Sequence, residues 1–224
     1  MKNYITILIL LIVTSSSAQR ILDKDMGTFT EVKVFDLIEV NLIKSDENRV
    51  LVKGQNVNDI NLVNKNGVLK IRMEIDKIFS GENTFVEVYY KELSVIDGNE
   101  GAKISSNETI EQNTIELRAQ EGAQIKVGLK LNHLDARAVT GGIIEAAGLT
   151  KNQDVVLNTG GIFEGKELRT ETTSIKISAG GEAEVYATDY VDVNIRAGGD
   201  VDVYGNPKEV NKNTFAGGRV QMKN

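Results

Sequence analysis

Apolar residues recur at every second position along most of the chain, and these runs are broken at nearly even intervals by a doublet of small residues. From Leu93 onward the doublets are Gly101-Ala102, Gly122-Ala123, Gly141-Gly142, Gly160-Gly161, Gly180-Gly181, Gly198-Gly199 and Gly217-Gly218. Measured between second members, the steps are 21, 19, 19, 20, 18 and 19 residues. A repeat of that length marks a solenoid, in which each coil packs on its neighbours, rather than a chain folded round one central core.

Within each period the alternation assigns side chains to an interior. Before the doublets lie Ile115, Leu117 and Ala119; Leu134, Ala136 and Ala138; Val155 and Leu157; Ile175 and Ile177; Val191, Val193 and Ile195. After them come Ile104; Ile125 and Val127; Ile144 and Ala146; Phe163; Ala183 and Val185; Val201 and Val203; Val220 and Met222. A period of two is the strand period, so each coil should carry two short strands hinged at a glycine corner. The expected fold is all-β: a parallel β-helix of about seven coils, right-handed by the crossover rule.

From Ile21 to Leu93 the alternation continues without the doublet. The runs FTEVKVFDLIEVNLIKS, RVLVKGQ, GVLKIRMEI and TFVEVYYKEL are separated by the polar turns SDEN, NKNG and SGEN. A solenoid must cover its first rung, whose unpaired strand edge invites aggregation, so residues 19–92 are expected to cap the array formed by residues 93–224. At the far end, the inward positions of the last coil hold Val210, Lys212 and Thr214, two of them polar, as terminal capping requires.

The first residues change the picture of where the chain works. MKNYITILILLIVTSSSAQ combines a basic start at Lys2, an apolar run from Ile5 to Val13 and a small-residue exit, the pattern of a secretory signal peptide over residues 1–18, cut after Ala18. The run falls well short of the ~20 residues a membrane span needs, so the chain is not expected to be transmembrane. The chain contains no cysteine, leaving neither a lipid-anchoring thiol nor a disulfide for the oxidising place it reaches.

Removing Lys2 takes the charge from 26 − 32 = −6 to 25 − 32 = −7. A mildly acidic domain without basic clusters is a poor nucleic-acid binder. The single histidine, His133, is placed at a coil corner just before Leu134, and with no cysteine beside it the sequence argues against zinc sites and catalytic triads. The corner glycines are followed by no helix and no Lys-Ser or Lys-Thr pair, so they are turn residues rather than phosphate loops.

Outward positions carry the remaining chemistry. Glu145, Glu164, Glu184 and Asp202 should stack about 4.8 Å apart, one per coil, with Lys126 and Gln221 at the ends of the column. Such a column either fans into water, where screening makes repulsion cheap, or binds a divalent cation, although no motif closes a calcium loop. On the other strand Glu116 with Arg118, and Asp135 with Arg137, set basic positions beside acidic ones. Tyr186 and Tyr204 share the outward parity of Glu182, Glu184, Asp200 and Asp202. Two rings on adjacent rungs beside four carboxylates offer a sugar or a basic peptide both contact area and orienting groups. These six residues are the candidate ligand site; the plainer alternative is a structural tyrosine stack.

The glycine-cornered coils, the run VDVYGNPKEV from Val201 to Val210 with Tyr204-Gly205-Asn206-Pro207 at its centre, and the opening FTEVKVFDLIEVNLIKS and LKIRMEI together resemble an exported bacterial family, the putative auto-transporter adhesins with a head GIN domain. The corners use Gly-Gly and Ala-Gly-Gly where that family more commonly has Ser-Gly-Ser-Gly. The resemblance covers nearly all of the mature chain and implies a β-helix in the periplasm, on the outer-membrane surface or outside the cell. It carries over no catalytic residues. The expected function is a non-enzymatic, adhesin-like scaffold for a surface, glycan or protein ligand, with no cofactor. The alternatives are a polysaccharide-acting enzyme on the same scaffold, weakened by the lack of an Asp cluster beside an Arg, and a structural envelope protein that forms homo-oligomers through its end coils.

Overall fold

The computed structural model describes residues 21–54 and 56–223; the expected signal peptide lies outside the described residues. Those residues form a single sheet of twenty strands and two single-turn 3-10 helices, Val57–Asp59 and Ile75–Lys77, with no α-helix among them. The sheet is wound into a β-solenoid. A leading column of strands precedes the corners and a trailing column follows them.

Register is continuous from coil to coil. In the leading column Leu117, Ala136, Val155, Ile175, Val193 and Lys212 line up. In the trailing column Ile104, Ile125, Ile144, Phe163, Ala183, Val201 and Val220 do the same. Every residue assigned to the interior up to Val203 is buried, whereas Val220 is only partly covered and Met222 is exposed. Size is balanced along the axis. The fully buried Phe163 ring sits beside Ala183, and a Cβ on Gly165 would come within 2.3 Å of that ring. Large against small, and no side chain where the ring needs room, is how an interior reaches crystal-like density.

The corners have a definite geometry. In the second doublet Glu121 (φ 55°) and Gly122 (φ 76°) are both left-handed, and the Ala123 N–H donates to the Gln120 carbonyl at 3.1 Å. Positive φ at both central residues, closed by that bond, defines a type I′ turn. The left-handed stretch therefore begins one residue before the doublet in the first four corners, at Glu100, Glu121, Thr140 and Thr159. In the last three corners Ala179, Ala197 and Ala216 precede the glycines and only glycines carry positive φ.

Two features differ from the expectation of two strands per coil. A third, shorter side runs through four coils, where Ile110, Leu129, Gly148 and Leu168 line up. Ile110, Leu129 and Leu168 are buried there, so this side closes the coil's cross-section. The interior is also not wholly apolar. Gln153 and Thr173, in register with Leu134 and Val191, are buried; the Gln153 amide donates to the Thr173 hydroxyl at 2.9 Å, and that hydroxyl donates to the Tyr186 carbonyl at 2.8 Å.

The N-terminal strands belong to the same sheet. Glu31–Val34 pairs in parallel with Val95–Gly98, and Glu39–Lys44 with Lys103–Glu111. On their other side lie Val68–Met73 and Thr84–Tyr90, again parallel. Beyond these the pairing turns antiparallel, with Ile60–Lys65 on one column, and Arg49–Gly54 followed by Ile21–Asp25 on the other. At the opposite end Glu209–Ala216 and Arg219–Met222 pair, among the described residues, on one side only, and Phe215 is 90 % exposed.

Candidate functional site

The trailing column positions the candidate ligand residues. The strands Gly181–Tyr186 and Asp200–Tyr204 pair in parallel, setting Glu182 beside Asp200, Glu184 beside Asp202 and Tyr186 beside Tyr204. Ala183, Val185, Val201 and Val203 are buried between them, so alternation turns all six candidate side chains outward. The four carboxylates, with Glu164, Ile162 and Arg219, line a groove of about 410 Å³, so an acidic cluster beside an arginine, expected from the sequence to be lacking, is present because stacking brings Arg219 to Asp200 from the next coil. The two tyrosines are neighbours of one another but do not line this groove.

Like charges on adjacent rungs are offset by cations from neighbouring positions. Arg219 donates to Asp200 at 3.2 Å, Lys223 lies 3.0 Å from Asp202, and Lys166 lies 3.9 Å from Glu184. The Tyr204 hydroxyl donates to Glu184 Oε1 at 3.3 Å. Partial burial, with the negative Glu184 beside it, holds the Tyr204 phenol above its ordinary pKa, so it remains a donor. One oxygen of Asp202, Oδ1, is buried without a hydrogen-bond partner among the described residues. Tyr186 has neighbours of its own: the Arg169 guanidinium lies 5.9 Å from its ring centroid, and a Cβ on Gly205 would come within 2.7 Å of the ring. Its backbone carbonyl takes the buried Thr173 bond, so the rung carrying Glu184 and Tyr186 is anchored from inside.

The acidic column stacks as expected: Glu145, Glu164, Glu184 and Asp202 are in register, with Lys126 before them and Gln221 after. Lys126 reaches Glu145 at 2.8 Å. Among the described residues the column supplies no set of three donor atoms close enough to share an ion. On the leading column Arg118 holds Glu116 through two bonds of 2.6 and 2.7 Å, whereas Asp135 turns to His133 rather than to Arg137.

A larger concavity, about 710 Å³, lies along the third side and its corner, where Leu149, Lys130, Lys151, Arg169 and Glu171 contribute. Reading two strands per coil hid this face. The only sequence signal for it was the apolar Ile110, Leu129 and Leu168 recurring outside the two assigned strands.

A solenoid with no helix long and apolar enough to cross a membrane among its described residues, and with its polar chemistry on outward columns, defines a repeat-scaffold protein. The chain belongs to the family described as putative auto-transporter adhesin, head GIN domain, whose model matches residues 28–207. Its fold is similar to that of a putative adhesin from Bacteroides fragilis, at a TM-score of 0.84 and 13% identity, covering 93% of this chain and 98% of that one. A putative adhesin from Parabacteroides distasonis is similar at 0.74 and 20% identity, covering 92% and 97%. A putative lipid binding protein from the same organism is similar at 0.65 and 16% identity, covering 92% and 98%. No curated protein matches the chain.

Proposed function

We propose that the protein is an exported, non-catalytic binding scaffold of the cell envelope or surface, and that its ligand face is the acidic groove of the trailing column. The observation that carries this reading is the convergence of Glu182, Glu184, Asp200, Asp202 and Arg219 from successive coils on one groove of a rigid sheet. Carboxylates of which Glu184, Asp200 and Asp202 are held by cross-rung pairs, and one arginine donor, suit a polyhydroxylated saccharide, with the tyrosine pair on the same two strands just outside the groove. Sugar hydroxyls donate to the carboxylates and accept from the guanidinium, and a ring supplies apolar contact. The family name and the leader-like pattern of residues 1–18 support export and an adhesin-like role.

The test is a panel of neutral and acidic polysaccharides, reading both retention of the mature chain and release of products. The expected result is retention without product release, lost in the folded triple variant Glu182→Gln/Asp200→Asn/Asp202→Asn and reduced in Tyr186→Ala/Tyr204→Ala. Product release would make the protein an enzyme. Retention unchanged in both variants would move the ligand face elsewhere.

One observation favours a second reading, self-association. Among the described residues the last coil offers strand edges without a partner, with Val210, Phe215 and Met222 exposed, a template on which another chain can pair. A concentration-dependent mass in solution that Phe215→Ser removes would support that reading.

A further inference from the structure

We propose that His133, Asp135 and Asp154 form a surface site for one divalent transition-metal ion of the zinc class, separate from the acidic groove. The backbone builds the arrangement. After Leu131 the chain turns a corner at which the Asn132 and His133 N–H groups both donate to the Asn113 carbonyl, at 2.9 and 3.1 Å. The strand then resumes with Leu134, Ala136 and Ala138 inward, so His133 and Asp135, two residues apart, face outward together. Asp154 is the register partner of Asp135 on the next coil. The long imidazole and the two short carboxylates converge. His133 Nε2 lies 3.3 Å from Asp135 Oδ1 and 3.6 Å from Asp154 Oδ2, and all three donor atoms lie within 4.8 Å of one another.

The two histidine–carboxylate spacings match a coordination shell, and the two carboxylates need only small side-chain rotations to complete it. Zinc bonds of about 2.0–2.2 Å at tetrahedral angles put neighbouring donors about 3.3–3.6 Å apart. A ring nitrogen with two carboxylates is a borderline ligand set that suits zinc and its neighbours better than calcium or magnesium, which take oxygen. The side chains are 33%, 57% and 53% exposed, which leaves the remaining positions to water or to an outside group.

The surrounding charges point the same way. Glu116, one rung before Asp135, is held by Arg118, and Asp192, two rungs after Asp154, accepts from Asn211 at 2.7 Å. Among the described residues neither Asp135 nor Asp154 has a Lys or Arg within 4.0 Å; Arg137, the nearest cation along the strand, forms no pair with them. Asn152, in register with His133, adds a neutral amide to the same patch. The sequence argued against zinc because it offers no second histidine and no cysteine. The fold instead supplies the third ligand one coil away, from Asp135 to Asp154, a spacing no local zinc pattern contains.

His133 is the only histidine in the chain, so a tag-free mature protein gives a single imidazole signal by NMR. Titration with Zn²⁺ at neutral pH should shift that signal and saturate at one ion per chain. His133→Ala should abolish binding and Asp154→Asn should weaken it at least about tenfold. Both variants should keep the wild-type melt without metal, since the residues face outward. Asp200→Asn/Asp202→Asn should bind Zn²⁺ as the wild type does. An imidazole signal that does not move in excess Zn²⁺, or a stoichiometry unchanged in His133→Ala/Asp154→Asn, would overturn the proposal, as would loss of the ion in the groove variant alone.

Discussion

At the scale of single residues the structure turns on parity and on the corner. Val193 and Ile177 are buried while Asn194 and Lys176, adjacent to them in sequence and register partners of one another, face out. Val193→Asp should cost several kcal/mol because it places an unpaired carboxylate between coils, whereas Lys176→Ser should cost about 0.5 kcal/mol or less; paired thermal melts check both. The corner yields a prediction of the opposite sign. Thr140 is β-branched and held at φ 51°, a conformation Asn tolerates better, so Thr140→Asn should stabilise the protein by about 1 kcal/mol or less. The glycine doublets were legible in the sequence, but this residue was not: a threonine before glycine carries no mark of a left-handed backbone. The second glycine of that corner has another role. A Cβ on Gly142 would come 2.1 Å from the Ala119 carbonyl, and Gly142→Val should cost about 1–3 kcal/mol or more.

One residue couples the corner to pH. Burial first, and the neighbouring Asp36 second, hold the Glu100 carboxyl above its ordinary range, and among the described residues no hydrogen bond within normal geometry reaches the buried Glu100 Oε2. Between the ordinary carboxyl pKa and the raised value, the native state binds a proton that the unfolded chain has released. Stability from this group is therefore present at low pH and lost as pH rises through that window. Glu100→Gln should flatten the pH dependence of the melt and raise the melting temperature above the window. A melt as pH-dependent as the wild type would contradict it.

At the scale of elements the N-terminal strands matter most. Val32, Val34, Val40 and Leu42 are buried and come from strands that pair directly with Val95–Gly98 and Lys103–Glu111. A chain reduced to residues 93–224 should expose that edge and its apolar interior, and should aggregate or pair end to end; a soluble monomer with a cooperative melt would show that the N-terminal strands do not protect it. The alternation in residues 21–92 was visible in the sequence as strands. Their order was not: Val68–Met73 lies outside Glu31–Val34, which it follows in sequence, and nothing in a local period reports such a crossing. The third side was missed for a related reason. In Gln124–Val139 it continues the trailing strand, so buried Leu129 and Leu131 extend the alternation of Ile125 and Val127 and do not mark a separate side, whereas Leu168–Arg169, two residues long, is too brief for alternation to register. The candidate site fared better in placement than in composition. The register of Glu182 with Asp200 followed from doublet spacing alone, but the cross-rung cations Arg219 and Lys223 flank Gln221 on the last coil, and parity by itself does not report which carboxylates their long side chains reach.

At the scale of the whole molecule, stacking brings residues about one coil apart in sequence into contact, and both proposed sites depend on it. The absence of cysteine makes that arrangement directly testable. Lys176 and Asn194 face outward in register on adjacent coils, at a separation of about 4.8 Å set by the strand spacing, within reach of a disulfide. Lys176 and Asp192 lie two residues out of register, about 8 Å apart, beyond that reach. The decisive measurement is oxidation of the two double-cysteine variants of the otherwise cysteine-free chain, scored as intrachain cross-linking by mass. Closure of Lys176→Cys/Asn194→Cys, with Lys176→Cys/Asp192→Cys left open, is the predicted result; preferential closure of the offset pair would contradict the register on which both sites stand.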